Sequence, residues 1–239
     1  HGLWHAGSYD SQDFLGRLIG DADWVRHAEK SFYNCFDYNW FASEFHIDLF
    51  NNVMGLKEKS YRTGWPFEFL KHEIERDTLG THKKDIILFP HRLAPEKQPD
   101  IFVDIANELP EYQFVFCQKM NLSKKDYHKL LGESKIVFSA NLQETLGIGC
   151  YEALCAGAIP MVPDRLSYKE MYSEDFKYDS EWTSDMEGYT KHKDELVNRI
   201  RQLMEDFHTN HMQSAIHTNR EHLDTKYFSA GGLIDVLFN

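Results

Sequence analysis

Glu144-Thr145-Leu146-Gly147-Ile148-Gly149-Cys150-Tyr151-Glu152-Ala153-Leu154-Cys155-Ala156-Gly157-Ala158-Ile159-Pro160 is the stretch on which the reading of the whole chain turns. It follows the apolar run 136–139, which has the length and β-branched content of a buried strand. Glu144 and Glu152 stand on either side of a glycine-containing turn that opens a helix. A helix start presents unbonded backbone N–H groups and the positive end of its dipole, so an anion can settle there while the flanking acids accept hydrogen bonds from hydroxyl groups. On the residues alone the pair also reads as ordinary solvated acids at a helix terminus, where negative charge is favourable without any ligand.

Upstream and downstream of this stretch, short β-like runs alternate with helical periods, the pattern of βα units on a parallel sheet. The spacing predicts strands over 85–89, 113–117, 136–139 and 159–162, and helices over 98–108, 123–131 and 152–156. Pro90, Pro95 and Pro99 break the first strand-to-helix connection, which makes 91–97 a loop at the edge of a doubly wound sheet where ligands bind. The first seventy residues differ: 21–37 is helical and aromatic-rich, 40–50 is a short strand running into a helix, and Gly64 and Pro66 mark a connector over 62–70. After Gly188 the chain turns helical, with Leu196, Ile200, Leu203 and Phe207 on one stripe, and 208–239 is polar helix with an apolar end. The division expected is 1–70 for the end of one domain and its linker, 71–207 for a Rossmann-like domain, and 208–239 for a helical segment packing back on the N-terminal part.

Composition narrows the class. With 239 residues, 42% hydrophobic and 14% aromatic, the chain buries a substantial core, and no apolar run is long enough for a membrane span. A formal charge of −12 opposes non-specific adhesion to polyphosphate. Cys35, Cys117, Cys150 and Cys155 lack paired metal-ligand spacing and sit in apolar contexts, which implies buried, reduced thiols and a cytoplasmic protein, at most peripheral to a membrane. His208/His211 and His217/His222 fall on a polar helical face without a partner cluster, so no metal is expected. The aromatic cluster Trp24, Phe32, Tyr33, Phe36, Tyr38, Trp40 and Phe41 reads as core.

The 144–160 stretch resembles the E-x7-E motif of retaining GT-B glycosyltransferases (family 4-like C-terminal domains), including the small-residue helix and the Gly157-x-x-Pro160 step before the next strand. The run Phe89-Pro90-His91-Arg92-Leu93-Ala94-Pro95-Glu96-Lys97 resembles the Gly-Arg-x4-Lys loop of the same domain, with His91 in place of the glycine. The resemblance implies an α/β fold of GT-B type: a Rossmann-like C-terminal domain with a parallel sheet, plus the tail end of an incomplete N-terminal Rossmann-like domain. It assigns Glu144 to the donor sugar, Glu152 to the ribose hydroxyls, and the amides near Leu146, Gly147 and Ile148 to the diphosphate. Arg92 and Lys97 would stabilise the charge that gathers on the departing nucleoside diphosphate. Their alternative reading is a surface ion pair with Glu96. His5, in Trp4-His5-Ala6-Gly7-Ser8, stands where related enzymes place a sugar-contacting histidine, with His1 as second choice. Thr145 and Leu146 depart from the usual Gly-Phe, and Gly149 from the usual Pro or small residue. The Pro90-His91-Arg92 run and Tyr168-Lys169-Glu170 resemble the tRNA-queuosine mannosyltransferase-like branch of the fold.

The expected function is therefore transfer of a sugar from a nucleoside diphosphate sugar to an acceptor, with retention of anomeric configuration. The resemblance implies no metal and no cofactor beyond the donor substrate. The acceptor stays open among lipid, glycan, protein, tRNA and modified DNA. Two further readings remain: a non-catalytic nucleotide-sugar-binding subunit, and a nucleotide-sugar epimerase of the same fold.

Overall fold

The computed structural model describes residues 1–19 and 22–238; Asp21 and Asn239, the outer ends of two ranges read from the sequence, lie outside them. In chain order the elements are β1 (Gly2–Leu3), α1 (Phe14–Ile19), α2 (Asp23–Cys35), β2 (Asn39–Phe41), α3 (Glu44–Met54), β3 (Ser60–Arg62), α4 (Glu68–Asp77), β4 (Lys84–Phe89), α5 (Pro99–Glu108), β5 (Gln113–Phe116), α6 (Lys124–Glu133), β6 (Ser134–Phe138), α7 (Ile148–Cys155), β7 (Ile159–Pro163), α8 (Tyr168–Met171), β8 (Lys177–Tyr178), α9 (Met186–Lys191), α10 (Lys193–Asp206), α11 (Asn210–Lys226) and α12 (Gly231–Phe238). They group into two units: 1–68 with 143–146 and 224–239, and 69–142 with 147–223. The segment 208–239 is thus shared between the units, with the division falling inside α11, and 143–146 clusters with the first unit.

In unit 1 the three strands lie parallel in the order β1-β2-β3. Its core is aromatic: Trp4 stacks on Phe41 at 6.0 Å and tilts against Phe50 at 4.8 Å, with Tyr33, Ile47 and Met54 closing the cluster. Ser43 caps α3 by accepting from the His46 amide, which satisfies one of the donors a helix start leaves over. The aromatic cluster read as core divides: Tyr33, Trp40 and Phe41 are buried, whereas Trp24 is 72% and Phe32 57% exposed. The reason is helical periodicity. Val25, Glu29 and Tyr33 share the buried face of α2, and neighbours in sequence fall on other faces. The same geometry leaves Cys35 exposed, against the expectation of a buried thiol; Cys150 and Cys155 are buried.

The Tyr9 hydroxyl and His46 Nε2 are 2.7 Å apart inside this core, and burial, reinforced by the nearby His5, pulls the His46 pKa down to about 3. An unfolded histidine binds a proton near pH 6.5 that the folded one refuses, so stability is lost as pH falls from about 6.5 towards about 3. Urea titrations at several pH values are expected to show that loss approaching about 1.4 kcal/mol per pH unit, and His46→Gln to flatten the dependence while lowering stability at neutral pH. An unchanged acid slope in His46→Gln would exclude this histidine as its source.

In unit 2 five parallel strands lie in the order β5-β4-β6-β7-β8. Strand β4 carries Ile86-Ile87-Leu88-Phe89, all buried, as a strand covered on both faces requires. The α10 stripe Leu196, Ile200, Leu203 and Phe207 is buried in full. Lys83 Nζ donates to the carbonyls of Leu131, Ser134 and Ala156 at 3.3, 2.8 and 2.9 Å, satisfying acceptors at the carboxyl ends of α6 and α7, while burial pulls its pKa down to about 7. The strand order reverses between β4 and β6, so the chain leaves β5 and β6 on opposite sides of β4. In open α/β sheets a ligand crevice forms at the carboxyl ends of the strands flanking such a switch point. Among the described residues no helix is long and apolar enough to cross a membrane.

Candidate functional site

Two loops flank the switch point of unit 2. The first leaves β4 through Pro90, His91 and Arg92; the second leaves β6 through Ser139 to Leu142. They are tied together: the Leu142 amide donates to the Glu96 carbonyl at 2.8 Å, and Gln98 Nε2 donates to the Ala140 carbonyl at 2.6 Å and the Thr183 carbonyl at 2.7 Å. Gln98 adopts a left-handed backbone with φ 52°, which an L side chain tolerates at a cost and which these two bonds help to hold. From the other side Arg165, half-buried, donates to the carbonyls of Ala140, Asn141 and Ser180 and to the Thr183 hydroxyl. The loop after β6 is therefore fixed by backbone bonds and by two long polar side chains.

Arg92 is about half exposed and forms an ion pair with Glu96, whose carboxylate is wholly buried; Nε donates at 2.8 Å and Nη2 also donates to the same oxygen. The ion-pair alternative is thus realised, but with the acid inside the protein. A buried carboxylate that takes two donors from one guanidinium holds it in one orientation. Lys97 is buried, at 6% exposure.

Helix α7 begins at Ile148, four residues earlier than the sequence suggested. Gly147 at its N-cap has φ 71° and ψ 49°, a left-handed conformation that glycine adopts without penalty and that turns the chain into the helix. Gly149 lowers helix propensity enough to obscure the start in sequence, yet it sits in the first turn. Glu152 consequently lies in the second turn, not in the first, and the amides at the helix start belong to Ile148 and Gly149. Its Oε2 accepts from the Tyr127 hydroxyl at 2.9 Å. Burial pushes the Glu152 pKa up, while the Tyr127 hydrogen bond and the charges of His128 and Lys124 pull it back.

A groove of about 440 Å³ lies beside these groups, lined by Pro90, His91, Arg92, Cys117, Gln118, Asn121, Leu122 and Tyr127. Sequence reasoning named only Arg92 among these as a site residue. Gln118, Asn121 and Tyr127 belong to no motif; only their place beyond the carboxyl ends of β4 and β5 brings them to one wall. Burial and the Glu152 charge push the Cys117 thiol up to about 12, so it enters the groove as a neutral thiol. A larger groove of about 500 Å³, between residues 170–175 and α11, holds none of the expected site residues. Among the described residues no group of three or more His, Cys, Asp or Glu is arranged to hold a metal; His211 pairs with Asp175 at 2.8 Å and His217 with Glu221 at 3.3 Å.

Three of the expected site residues, His5, Glu144 and Leu146, belong to unit 1, and the first two lie along one short network. Thr145 Oγ1 donates to the His5 carbonyl at 3.1 Å, the Ser43 hydroxyl donates to the Thr145 carbonyl at 2.9 Å, and the Thr145 amide donates to Glu144 Oε1 at 3.1 Å. The exposed His5 ring meets Trp65 edge-on at 4.1 Å, and partial burial lowers its pKa. His1 stacks on Tyr38 and Trp40 at the edge of the same sheet. Leu146 is buried at 1% exposure.

No family model matches the chain. A curated relative, the tRNA-queuosine alpha-mannosyltransferase of Drosophila melanogaster, is 25% identical over 150 residues, an alignment that covers 48% of this chain and 40% of that protein. The chain thus matches less than half the length of that relative. Among solved structures, Anabaena HepE in complex with UDP and glucose superimposes with a TM-score of 0.66 at 14% identity, over 98% of this chain and 69% of that one. A point mutant of S. aureus TarM, in complex with Fondaparinux, alpha-GlcNAc-glycerol and UDP, gives 0.66 at 14% identity over 99% and 49%. Sucrose-phosphate synthase from Thermosynechococcus elongatus gives 0.65 at 13% over 99% and 67%. At these identities the likeness fixes the fold, which is that of the GT-B glycosyltransferases.

Proposed function

We propose that the chain is the donor-binding part of a glycosyltransferase that takes its sugar from a uridine diphosphate sugar and transfers it with retention of anomeric configuration. The single observation that carries this reading is the crevice at the switch point of unit 2, where a cationic loop, the start of α7 and the half-buried Glu152 carboxylate lie together. The anionic diphosphate matches Arg92, Lys97 and the amides of Ile148 and Gly149; the ribose diol matches Glu152; the base fits the groove beside Gln118 and Asn121. HepE and TarM, which share the fold, were solved with UDP, and this favours uracil as the base. The Drosophila relative is named for mannosyl transfer to tRNA queuosine, which favours a second reading of the donor as a mannose nucleotide.

In this reading the bond between the anomeric carbon and the diphosphate oxygen breaks as the acceptor hydroxyl approaches from the same face. Charge accumulates on the departing phosphate, and fixed donors aimed at it lower the barrier more than they stabilise the bound substrate. The proton of the acceptor hydroxyl passes to the leaving phosphate oxygen, so no covalent enzyme intermediate forms. The family resemblance assigns the donor sugar to His5 and Glu144. No metal enters this scheme, because the cations and helix amides meet the diphosphate directly.

A thermal-shift screen with UDP, GDP, uridine, UDP-glucose and GDP-mannose tests the reading. A ligand at 100 times its Kd stabilises the folded state by about 2.7 kcal/mol, which for a chain of this size raises Tm by roughly 5–10 °C. UDP and a UDP-sugar are expected to give that shift and uridine none. Stabilisation by GDP and GDP-mannose alone selects the second reading, and no shift with any diphosphate rejects both. Glu152→Ala is expected to weaken binding of the selected nucleotide by roughly 10- to 100-fold, the worth of hydrogen bonds to a charged acceptor.

A further inference from the structure

We propose that Tyr127 is a positioning residue for nucleotide recognition: its hydroxyl holds the Glu152 carboxylate in the orientation that accepts a ribose diol, so that α6 and α7 read the ribose together. The inference rests on the donor-binding reading above and deepens it by assigning a role to a residue outside every motif in the sequence.

Three observations carry it. Tyr127 both lines the groove and donates to Glu152 Oε2 at 2.9 Å, so one side chain touches the ligand space and the acid that would face it. A carboxylate has two oxygens with about four lone-pair sites; the phenol takes one site on Oε2 and thereby fixes the plane in which Oε1 is presented. Second, residue 149 carries no side chain. A Cβ there would stand 3.5 Å from Pro90 Cγ and 3.9 Å from the Tyr127 hydroxyl, in ordinary contact with both, so anything longer than alanine would project between two walls of the groove. Third, the phenol is a permanent donor. Burial and the Glu152 charge push its pKa well above the usual range, and it does not release its proton to the carboxylate at working pH.

The physical consequence follows from the burial of Glu152. Ribose hydroxyls donate to a carboxylate; once protonated, the acid keeps less acceptor capacity and loses the charge that strengthens those bonds. The charged and titratable groups acting on Glu152 are Tyr127, His128 and Lys124 from α6, and Glu152 in turn acts on Cys117 in the turn after β5. Tyr127 is the group that bonds it directly, and its loss shifts the balance towards the protonated form.

The test uses the full chain, titrated calorimetrically with UDP and with 2′,3′-dideoxy-UDP, and in parallel with GDP and 2′,3′-dideoxy-GDP. The wild type is expected to bind the ribonucleotide about tenfold or more tightly than its dideoxy counterpart, as expected when a buried polar group loses its partners. Tyr127→Phe keeps the ring and removes the hydroxyl. It is expected to weaken ribonucleotide binding by about tenfold, to leave dideoxynucleotide binding within about twofold, and to raise the pH below which affinity falls. Glu152→Gln is expected to bind the two sugar forms alike, and the double variant to be no weaker than Glu152→Gln alone. Equal weakening of both nucleotides by Tyr127→Phe, or no weakening of either, overturns the positioning role. A wild type that binds both sugars equally overturns the Glu152–ribose assignment and this inference with it, while diphosphate binding stands. A wild type that binds no nucleotide overturns the donor-binding reading itself.

Discussion

Arg92→Ala is expected to lower donor turnover by about 10²- to 10³-fold, the effect of removing one preorganised donor from a developing negative charge. The rate is followed as nucleoside diphosphate released from the donor that the thermal screen selects. Arg92 is held by an asymmetric ion pair, since its partner Glu96 is wholly buried while Arg92 is half exposed. The pair also supports the fold: the Glu96 carbonyl accepts from the Leu142 amide, so the loop after β4 is tied to the loop after β6. Removing the guanidinium breaks an ion pair whose acid is buried, a change worth up to about 3–5 kcal/mol when such a pair is broken on one side. Two further variants separate the contributions. Arg92→Lys keeps a charge but cannot match the forked contact on Glu96, and is expected to fall between wild type and Arg92→Ala. The double change Arg92→Ala with Glu96→Gln removes the buried charge as well, and is expected to recover stability without recovering turnover. If the double variant regains turnover as well, Arg92 acts only by holding the loop.

The second large effect is expected at Gly64. Its backbone has φ +60°, and a Cβ added there would stand 2.3 Å from the carbonyl oxygen of Tyr227, which cannot move aside as a side chain can. The adjacent Trp65 amide donates to that same carbonyl at 2.8 Å, so the close approach is what brings 224–239 onto the connector in unit 1. Gly64→Ala is expected to cost about 1–2 kcal/mol for the left-handed backbone and about 1–3 kcal/mol for the clash. Gly55 is the internal comparison: it has φ +70° with nothing within 4 Å of the added Cβ. Gly55→Ala is therefore expected to show the backbone cost alone. Urea unfolding of the two variants gives the difference directly, and equal losses at both positions would show that the contact with Tyr227 contributes nothing.

Strands β4, β6 and β7 were legible because a strand covered on both faces must be apolar throughout, and only a few residue types satisfy that. The α10 stripe was legible for the related reason that a helix on a core repeats its apolar positions every three to four residues. Short elements such as β1, β3 and β8 were not, because two or three residues cannot display a period. The aromatic cluster near residues 24–41 misled because abundance says nothing about direction: Trp24 and Phe32 lie on the outer side of the helix that buries Tyr33. The start of α7 is obscured in the sequence because a glycine at 149 reads as a breaker, whereas the turn is made by Gly147.

What the sequence determined by itself was the class of fold and the chemical inventory: a parallel α/β sheet, two acids around a helix start, and a cationic loop after a strand. These follow from local rules, in which burial dictates residue type and backbone geometry dictates glycine. The tertiary structure alone decided which side chains meet. The strand order β5-β4-β6-β7-β8 sets the switch point between β4 and β6, and that order depends on pairings between segments tens of residues apart, which no local pattern encodes. It is this long-range pairing that brings Tyr127 from α6 onto Glu152 of α7 and assembles Gln118, Asn121 and Arg92 into one groove.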